Sequence, residues 1–343
     1  MRRIIGMALA AATASGTLVP GAKAQLEHTT IALPAIAGIF ASEYIAQDAG
    51  IYKKNGLDVK EELISGIGAA NAVISGSVDF SQSSGPTITR AAAHGQKLIA
   101  IANTYDRTGF WVIVSKKIAD SRHFDPKAPL GERAKIMKGL RFSIGAFRAI
   151  PDAYLRVIAK AGGIHPSDMT LTAIAPPDVV PAMQRDAIDG FSAGPPQVQQ
   201  AINSGLGVIV ADGNDAPVDP PWLTRVAANV VLVRPETCAK RPSVCERMGR
   251  SVAEANAFLH QHPKRSMAIL GKRLNVSDTQ LLAEAYKSIA EASPSPPLSD
   301  AKEFAAAERL NIEAGFMNAS EQAKNYSDMF TNEYLSGGQL SGR

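Results

Sequence analysis

Cysteine, aromatic side chains and net charge are all scarce in this sequence, and each shortage excludes a class of protein. Two cysteines, Cys238 and Cys245, are too few for a disulfide scaffold. Aromatic residues make up 6% of the chain and no basic run with interleaved aromatics occurs, so nothing marks a nucleic-acid surface. Three of the 36 basic residues (Arg2, Arg3 and Lys23) lie in the first 24 positions, which hold no acid; the rest of the chain carries 33 basic against 32 acidic residues, a net charge near +1. The pI of about 9.0 therefore signals neither nucleic acid nor a membrane surface as partner. The six histidines are scattered, and His260 and His262 sit two apart without a carboxylate motif, so no metal site is expected. There is no nucleophile elbow and no phosphate loop with its lysine, and no cofactor is expected.

What is present begins with a processing segment. Arg2 and Arg3 precede an apolar, Ala-rich run from Ile4 to Val19, and Ala22-Lys23-Ala24 offers a small-x-small cleavage site before Gln25. Ser15 and Gly16 interrupt that run, which is short for a membrane span, and no second apolar run of membrane length follows. Residues 1–24 thus read as a signal peptide cleaved after Ala24, with an uncleaved anchor as the alternative; the arginine pair also admits twin-arginine export. About 319 residues remain, enough for two domains with cores of their own. In an oxidising compartment Cys238 and Cys245, seven positions apart around Pro242, can close one small loop, the alternative being a free pair.

One stretch occurs twice. A shift of 110 positions lays Val78 and Asp79 on Ile188 and Asp189, Pro86 on Pro196, Ala91 on Ala201, Gly95 on Gly205 and Ile99 on Ile209. A unit this long exceeds a solenoid repeat and implies two similar lobes, each built of strand, Gly/Pro turn, short helix and strand. In the first lobe Thr29 to Leu33 and Leu57 to Ile64 read as strands, and Phe40 to Ala49 and Ala69 to Ile74 as helices. In the second, Leu140 to Ile144 and Met169 to Ile174 read as strands, and Asp152 to Ala161 and Val179 to Arg185 as helices. Two further apolar strands, Trp111 to Ser115 and Asn229 to Val233, each follow a completed lobe. If each joins the opposite lobe's sheet, the chain crosses twice, near Tyr105 to Phe110 and near Trp222 to Ala228, and two crossings make a hinge. Beyond Val244 the chain reads as helices packed outside the lobes, ending in a Ser/Gly tail after Leu335. The expected fold is α/β with two βα lobes and a cleft between them. Residues 25–106 and 227–343 form the first lobe and residues 107–226 the second.

The export signal, the strand opening on an Ile-x-Leu loop, Ala49 to Val59 (Ala-Gly-Ile-Tyr-Lys-Lys-Asn-Gly-Leu-Asp-Val), Gly76 to Phe80 (Gly-Ser-Val-Asp-Phe) and the duplicated lobe together resemble the periplasmic solute-binding proteins of ABC importers, in the nitrate, sulfonate, taurine and thiamine-precursor branch. The resemblance covers nearly the whole chain after residue 24. It implies a type II clamp that captures a small solute in the periplasm and delivers it to an inner-membrane ABC permease, acting as a monomer. The fold also resembles pyrimidine-forming and desulfinating enzymes, but the desulfinating type needs a cleft cysteine, and both cysteines here lie in a late segment away from every expected mouth loop. A ligand sensor for a membrane receptor is the third reading.

Candidate ligand-binding residues sit where strands end. The loop after the first strand contributes Ile36 and Gly38, with Phe40 beside it; later mouths contribute Gly66, Gly68, Ser83, Ser84, Gly85 and, in the second lobe, Phe147, Arg148, Asp178 and Gly194. Helices starting near Ala69, Pro86, Ala149, Val179 and Pro196 would aim free N–H groups at an anion or carbonyl. Arg148 would grip a carboxylate, sulfonate or nitrate, against the alternative of a solvated surface arginine. Ser83 and Ser84 would cap a helix or donate to ligand, and Asp178 would attract an amine or cap a helix. Phe40, Phe147, Tyr105, Trp111 and Trp222 would stack on a planar solute or belong to the core. Asp79 and Asp189 read as turn or capping residues rather than as an acid/base pair. A small, anionic solute is the resulting expectation.

Overall fold

The computed structural model describes residues 25–215 and 217–335; the signal peptide expected over residues 1–24 and the tail after Leu335 lie outside the described residues. Among these, ten strands form two five-stranded sheets of identical plan. In the first, β1 (Glu27–Leu33) runs parallel to β2 (Leu57–Leu63) and β3 (Phe80–Ser83), and β4 (Ile99–Tyr105) closes the far edge. In the second, β6 (Arg141–Ser143) runs parallel to β7 (Thr170–Thr172) and β8 (Gly190–Ala193), with β9 (Gly207–Asp212) at the far edge. The two remaining strands are exchanged. β5 (Trp111–Ser115) follows the first set but lies antiparallel between β8 and β9, and β10 (Asn229–Val233) follows the second set but lies antiparallel between β3 and β4. Each exchanged strand has neighbours on both edges and helices over both faces, so all five of its residues are buried, which is why each reads as a run of four apolar residues beside one polar end residue, Ser115 or Asn229.

The chain therefore passes from one sheet to the other twice, and the two passages are hydrogen-bonded together. The Tyr105 hydroxyl donates to Asn214 Oδ1 at 2.9 Å, Arg107 Nη1 to Asn214 O at 2.7 Å and Thr108 Oγ1 to Gly213 O at 2.6 Å. Asp79 and Asp189 play matching parts in the two sheets. Asp79 accepts from Thr29 Oγ1 at 2.7 Å and Arg241 Nη1 at 3.0 Å, and Asp189 from the Arg141 backbone N–H at 2.9 Å and its guanidinium at 2.8 Å. Each ties the entry of a central strand to its neighbour, a structural role that differs from the turn or helix cap expected from sequence.

Local differences from the sequence reading have local causes. The helix expected over 40–49 splits into a 3-10 turn, Gly38–Phe40, and the helix Ala41–Asp48, and a second short helix, Ile51–Lys54, restarts after Gly50 turns the chain at φ +75°. The strand expected over 169–174 shrinks to β7, a partly exposed edge strand with pairing on one side only. The late helices are long and well started: Asp278 caps Thr279–Glu291, and Asp300 with Glu303 forms a capping box on Ala301–Glu313. They do more than pack outside the lobes. Ala301–Glu313 touches both Gly85–Ala93 of the first lobe and Ile150–Ala161 of the second, and Thr279–Glu291 touches both Gly38–Phe40 and Gln197–Asn203.

Cys238, in the helix Pro235–Lys240, and Cys245, in Pro242–Gln261, are joined by a disulfide with Cα atoms 5.5 Å apart. Closing so small a loop removes about 2.5 kcal/mol of unfolded-state entropy. Replacing both cysteines by alanine is expected to lower the urea-measured unfolding free energy by about that amount; an unchanged value would mean the bridge does not restrict the unfolded chain.

Candidate functional site

A cavity of about 300 Å³ lies between the lobes, at the carboxyl ends of the parallel strands. On the first lobe its wall is made by Ile36 and Phe40 after β1, by Gly66 and Ile67 after β2, by Ser83 at the end of β3 with Ser84 and Thr87 after it, and by Asn229 at the start of β10. On the second lobe it is made by Phe110 before β5, by Ala146, Ile150 and Pro151 after β6, and by Pro176 and Pro177 after β7. A narrower recess of about 30 Å³ adjoins it and is lined by Gly38, Gly194, Ser192 and Gln197. The lobes meet at the rim: a Cβ built on Gly66, whose φ is +58°, would lie 3.2 Å from the Ala146 Cβ.

Of the residues singled out from sequence, Ile36, Phe40, Gly66, Ser83 and Ser84 line the cavity, and Gly38 and Gly194 line the recess. The structure places Gly68, Gly85, Phe147, Arg148 and Asp178 in neither. Gly85 is packed inward, where an added Cβ would fall 2.7 Å from that of Ala227. Phe147 is half exposed, and Asp178 is exposed and makes no side-chain cap. Of the other aromatics, Tyr105 and Trp111 are core, while Trp222 lies under the Arg309 guanidinium at 4.2 Å.

Arg148 faces away from the cavity. Its backbone adopts φ +61°, its N–H donates to the Asp152 carboxylate at 2.7 Å, and its guanidinium donates to Phe316 O at 3.1 Å and lies 5.2 Å from the Phe316 ring centroid. Arg156 lies 5.1 Å from the same ring, and Lys160 pairs with Glu313 at 2.7 Å. The Arg148 carbonyl accepts from Arg90 Nη2 of the first lobe at 3.1 Å. These contacts join the second lobe to the first lobe and to the late helices.

The helix ends also differ from expectation. At Gly85–Ala93 the Gly85 N–H goes to Ala227 O at 2.8 Å, the Thr87 and Ile88 N–H groups return to Ser84 O, and Pro86 has none. The Gly68 and Ala69 N–H groups go to Ser65 O and Gly66 O. At Ile150–Ala161 the fully buried Asp152 carboxylate, in the first turn, already meets the positive end of the helix and is paired with Arg156 at 2.6 Å. The wall thus presents no charged side chain, and its polar side chains carry hydroxyls and one amide. The Ser84 and Thr87 hydroxyls are 3.0 Å apart, so they share a hydrogen bond instead of capping the helix.

The amide, Asn229, was missed in the sequence because it begins a strand rather than a mouth loop. Its Nδ2 lies 2.6 Å from Gln82 Oε1, 2.7 Å from Thr104 Oγ1 and 3.2 Å from Ile39 O, so its carbonyl oxygen is the atom left for the cleft. Behind it Gln82 Nε2 approaches Glu43 Oε2 at 3.4 Å, and the Tyr52 hydroxyl donates to the same oxygen at 2.5 Å. Burial pushes the Glu43 carboxyl up to about 8, and the Tyr52 hydrogen bond offsets only part of this. Phe110, Ile67, Ile150 and Pro151 also went unnoticed among ordinary apolar residues.

The two matching sheets, the double strand exchange and a cleft at the strand ends define the two-lobed type II periplasmic binding protein fold. Solved structures bear this out. A protein from Bordetella bronchiseptica RB50 superposes with a TM-score of 0.78 at 20% identity over 90% of this chain and 95% of that one. The ligand-binding component of an ABC-type import system from Staphylococcus aureus, with zinc bound, gives 0.67 at 16% identity over 92% and 100%. The alkanesulfonate-binding protein SsuA from Xanthomonas axonopodis pv. citri, bound to MOPS, gives 0.63 at 14% identity over 85% and 95%. Residues 24–270 match the model of the NMT1-like family, and the chain belongs to that family. No curated protein matches the chain. No helix among the described residues is long and apolar enough to cross a membrane.

Two outcomes follow from this geometry. Because Glu43 titrates higher folded than unfolded, its contribution to stability is complete below about pH 4.5 and is lost as pH rises through about 8. Urea unfolding between those pH values should show wild-type stability falling more steeply than that of Glu43→Gln, by up to about 1.4 kcal/mol per pH unit; parallel curves would place the ionised form in the fold. Arg148→Ala should weaken binding of charged and neutral solutes alike, by no more than about fivefold, the size of an exposed cation–π contact. A loss confined to anions, read by calorimetry, would return Arg148 to the ligand.

Proposed function

We propose that this protein captures a small solute between its lobes outside the cytoplasm and hands it to an ABC permease, its closed form being the one the permease recognises. The observation that carries this reading is the cleft itself: a cavity of about 300 Å³ with walls drawn from both lobes, spanned by two hydrogen-bonded passages that can serve as a hinge. Membership of the NMT1-like family and the fold shared with import-system components support it. A ligand touching both walls stabilises the closed arrangement by its differential affinity, which is the thermodynamic requirement for a clamp. The cleaved signal peptide, the periplasmic location and the monomeric state belong to the same proposal, as does the division into residues 25–106 with 227–343 and residues 107–226. Solute is released unaltered.

The test is a thermal-shift and calorimetry panel of sulfonates, nitrate, carboxylates, amides, amino acids and pyrimidines. Solute at about 100 times its Kd should stabilise the protein by about 2.7 kcal/mol, and mass spectrometry should recover it unchanged. Gly66→Val places a branched side chain against Ala146 at a left-handed backbone position. It should leave the circular dichroism intact, lower affinity at least about tenfold and prevent solute-induced compaction in small-angle scattering. A chemically altered product would replace capture by catalysis, and compaction unaffected by Gly66→Val would remove the rim from closure.

A further inference from the structure

The two walls of the cleft differ in chemistry. Its polar side chains come from the first lobe: Ser65, Ser83, Ser84, Thr87 and Asn229. The second-lobe wall (Phe110, Ala146, Ile150, Pro151, Pro176 and their neighbours) has no polar side chain in the main cavity. The first lobe adds an apolar lip, with Ile36, Leu63 and Ile67 at 43%, 64% and 46% exposure, well above what a core residue shows. An anion held here would meet no opposite charge, would lose its hydration, and would face the Asn229 carbonyl oxygen, a second acceptor. A group that donates a hydrogen bond meets the reverse situation: an acceptor fixed from behind by Gln82 and Thr104, beside hydroxyls that can donate or accept. In the adjoining recess the buried Ser192 hydroxyl has no partner among the described residues.

Resting on the solute-capture reading, we infer that the solute is neutral in its buried part: an aliphatic or aromatic body against the second lobe, with an uncharged hydrogen-bond donor, such as a carboxamide or hydroxyl, directed at Asn229 and Ser83. Closure is then driven by burial of the apolar body against Phe110, Ile150 and Pro151, and salt has little effect on it. The orientation is fixed by the first lobe, so the head binds before the lobes meet.

Matched pairs test this on the purified protein: benzamide against benzoate, and hexanamide and hexanol against hexanoate and hexanesulfonate, by calorimetry. The neutral members should bind at least about tenfold more tightly than the anions, the ratio a single uncompensated polar group produces. Their Kd should change less than about twofold between about 20 mM and about 500 mM NaCl. Ser83→Ala, which removes a half-buried hydroxyl with no partner among the described residues, should weaken the amides by about five- to tenfold and leave the apo melting temperature unchanged. Tighter binding of the anions, or a tenfold loss of amide affinity with salt, would overturn the neutral class while leaving solute capture standing. Binding by neither series would also overturn it, and compaction with another member of the wider panel would then show that capture itself survives.

Discussion

The exchange of β5 and β10 is the constraint on which the rest of this structure depends. Each fills a gap in the sheet of the opposite half: without β10, β3 and β4 have no common neighbour, and without β5 neither do β8 and β9. A missing strand would leave two rows of buried backbone groups unpaired, a cost that neither lobe can sustain alone. The two passages between the sheets must therefore run side by side, and Asn214 and Gly213 accept the hydrogen bonds that hold them there. The parallel strands of both lobes then end on the same gap. The cleft follows from that connectivity.

Given the cleft, its chemistry is decided by how the chain spends its own polar groups. A helix N-terminus facing a gap is an anion site only while its N–H groups are free. Here Ala227, Ser84, Ser65 and Gly66 carbonyls take up the first-lobe donors, and Asp152 supplies the negative charge at the second-lobe helix from within the chain. The side chains that remain on the wall offer hydroxyls, one amide and apolar surface. Charge is disfavoured behind the wall as well: burial pushes up the carboxyl of Glu43, two hydrogen bonds from the cavity.

The late helices couple the lobes from outside. Phe316, just beyond Ala301–Glu313, lies within 5.2 Å of two guanidinium groups of the second lobe, while the preceding helix packs on Gly85–Ala93 of the first. Contacts of this kind are individually weak and solvent-exposed, so they can bias opening and closing without locking either state.

How much was legible beforehand varies by element. The apolar runs of β5 and β10, the Asp79 and Asp189 pair and the mouth residues Ser83, Ser84, Gly66 and Phe40 could be read from periodicity and repetition, because a strand buried on both faces and a strand end both leave a pattern within a few residues. Arg148, Gly85 and Asp178 were read into the mouths but lie outside them, because direction is not local: whether an arginine after a strand points into a gap or back onto Phe316 depends on a helix more than 150 positions away. Asn229 was invisible for the same reason, since its partners Gln82 and Thr104 are 147 and 125 residues distant. The sequence by itself determined the elements, their duplication and the two crossings, all properties of short-range pattern and order along the chain. The tertiary structure alone decided which polar atoms are satisfied internally and which face the cleft, because that accounting closes only when every distant acceptor is in place.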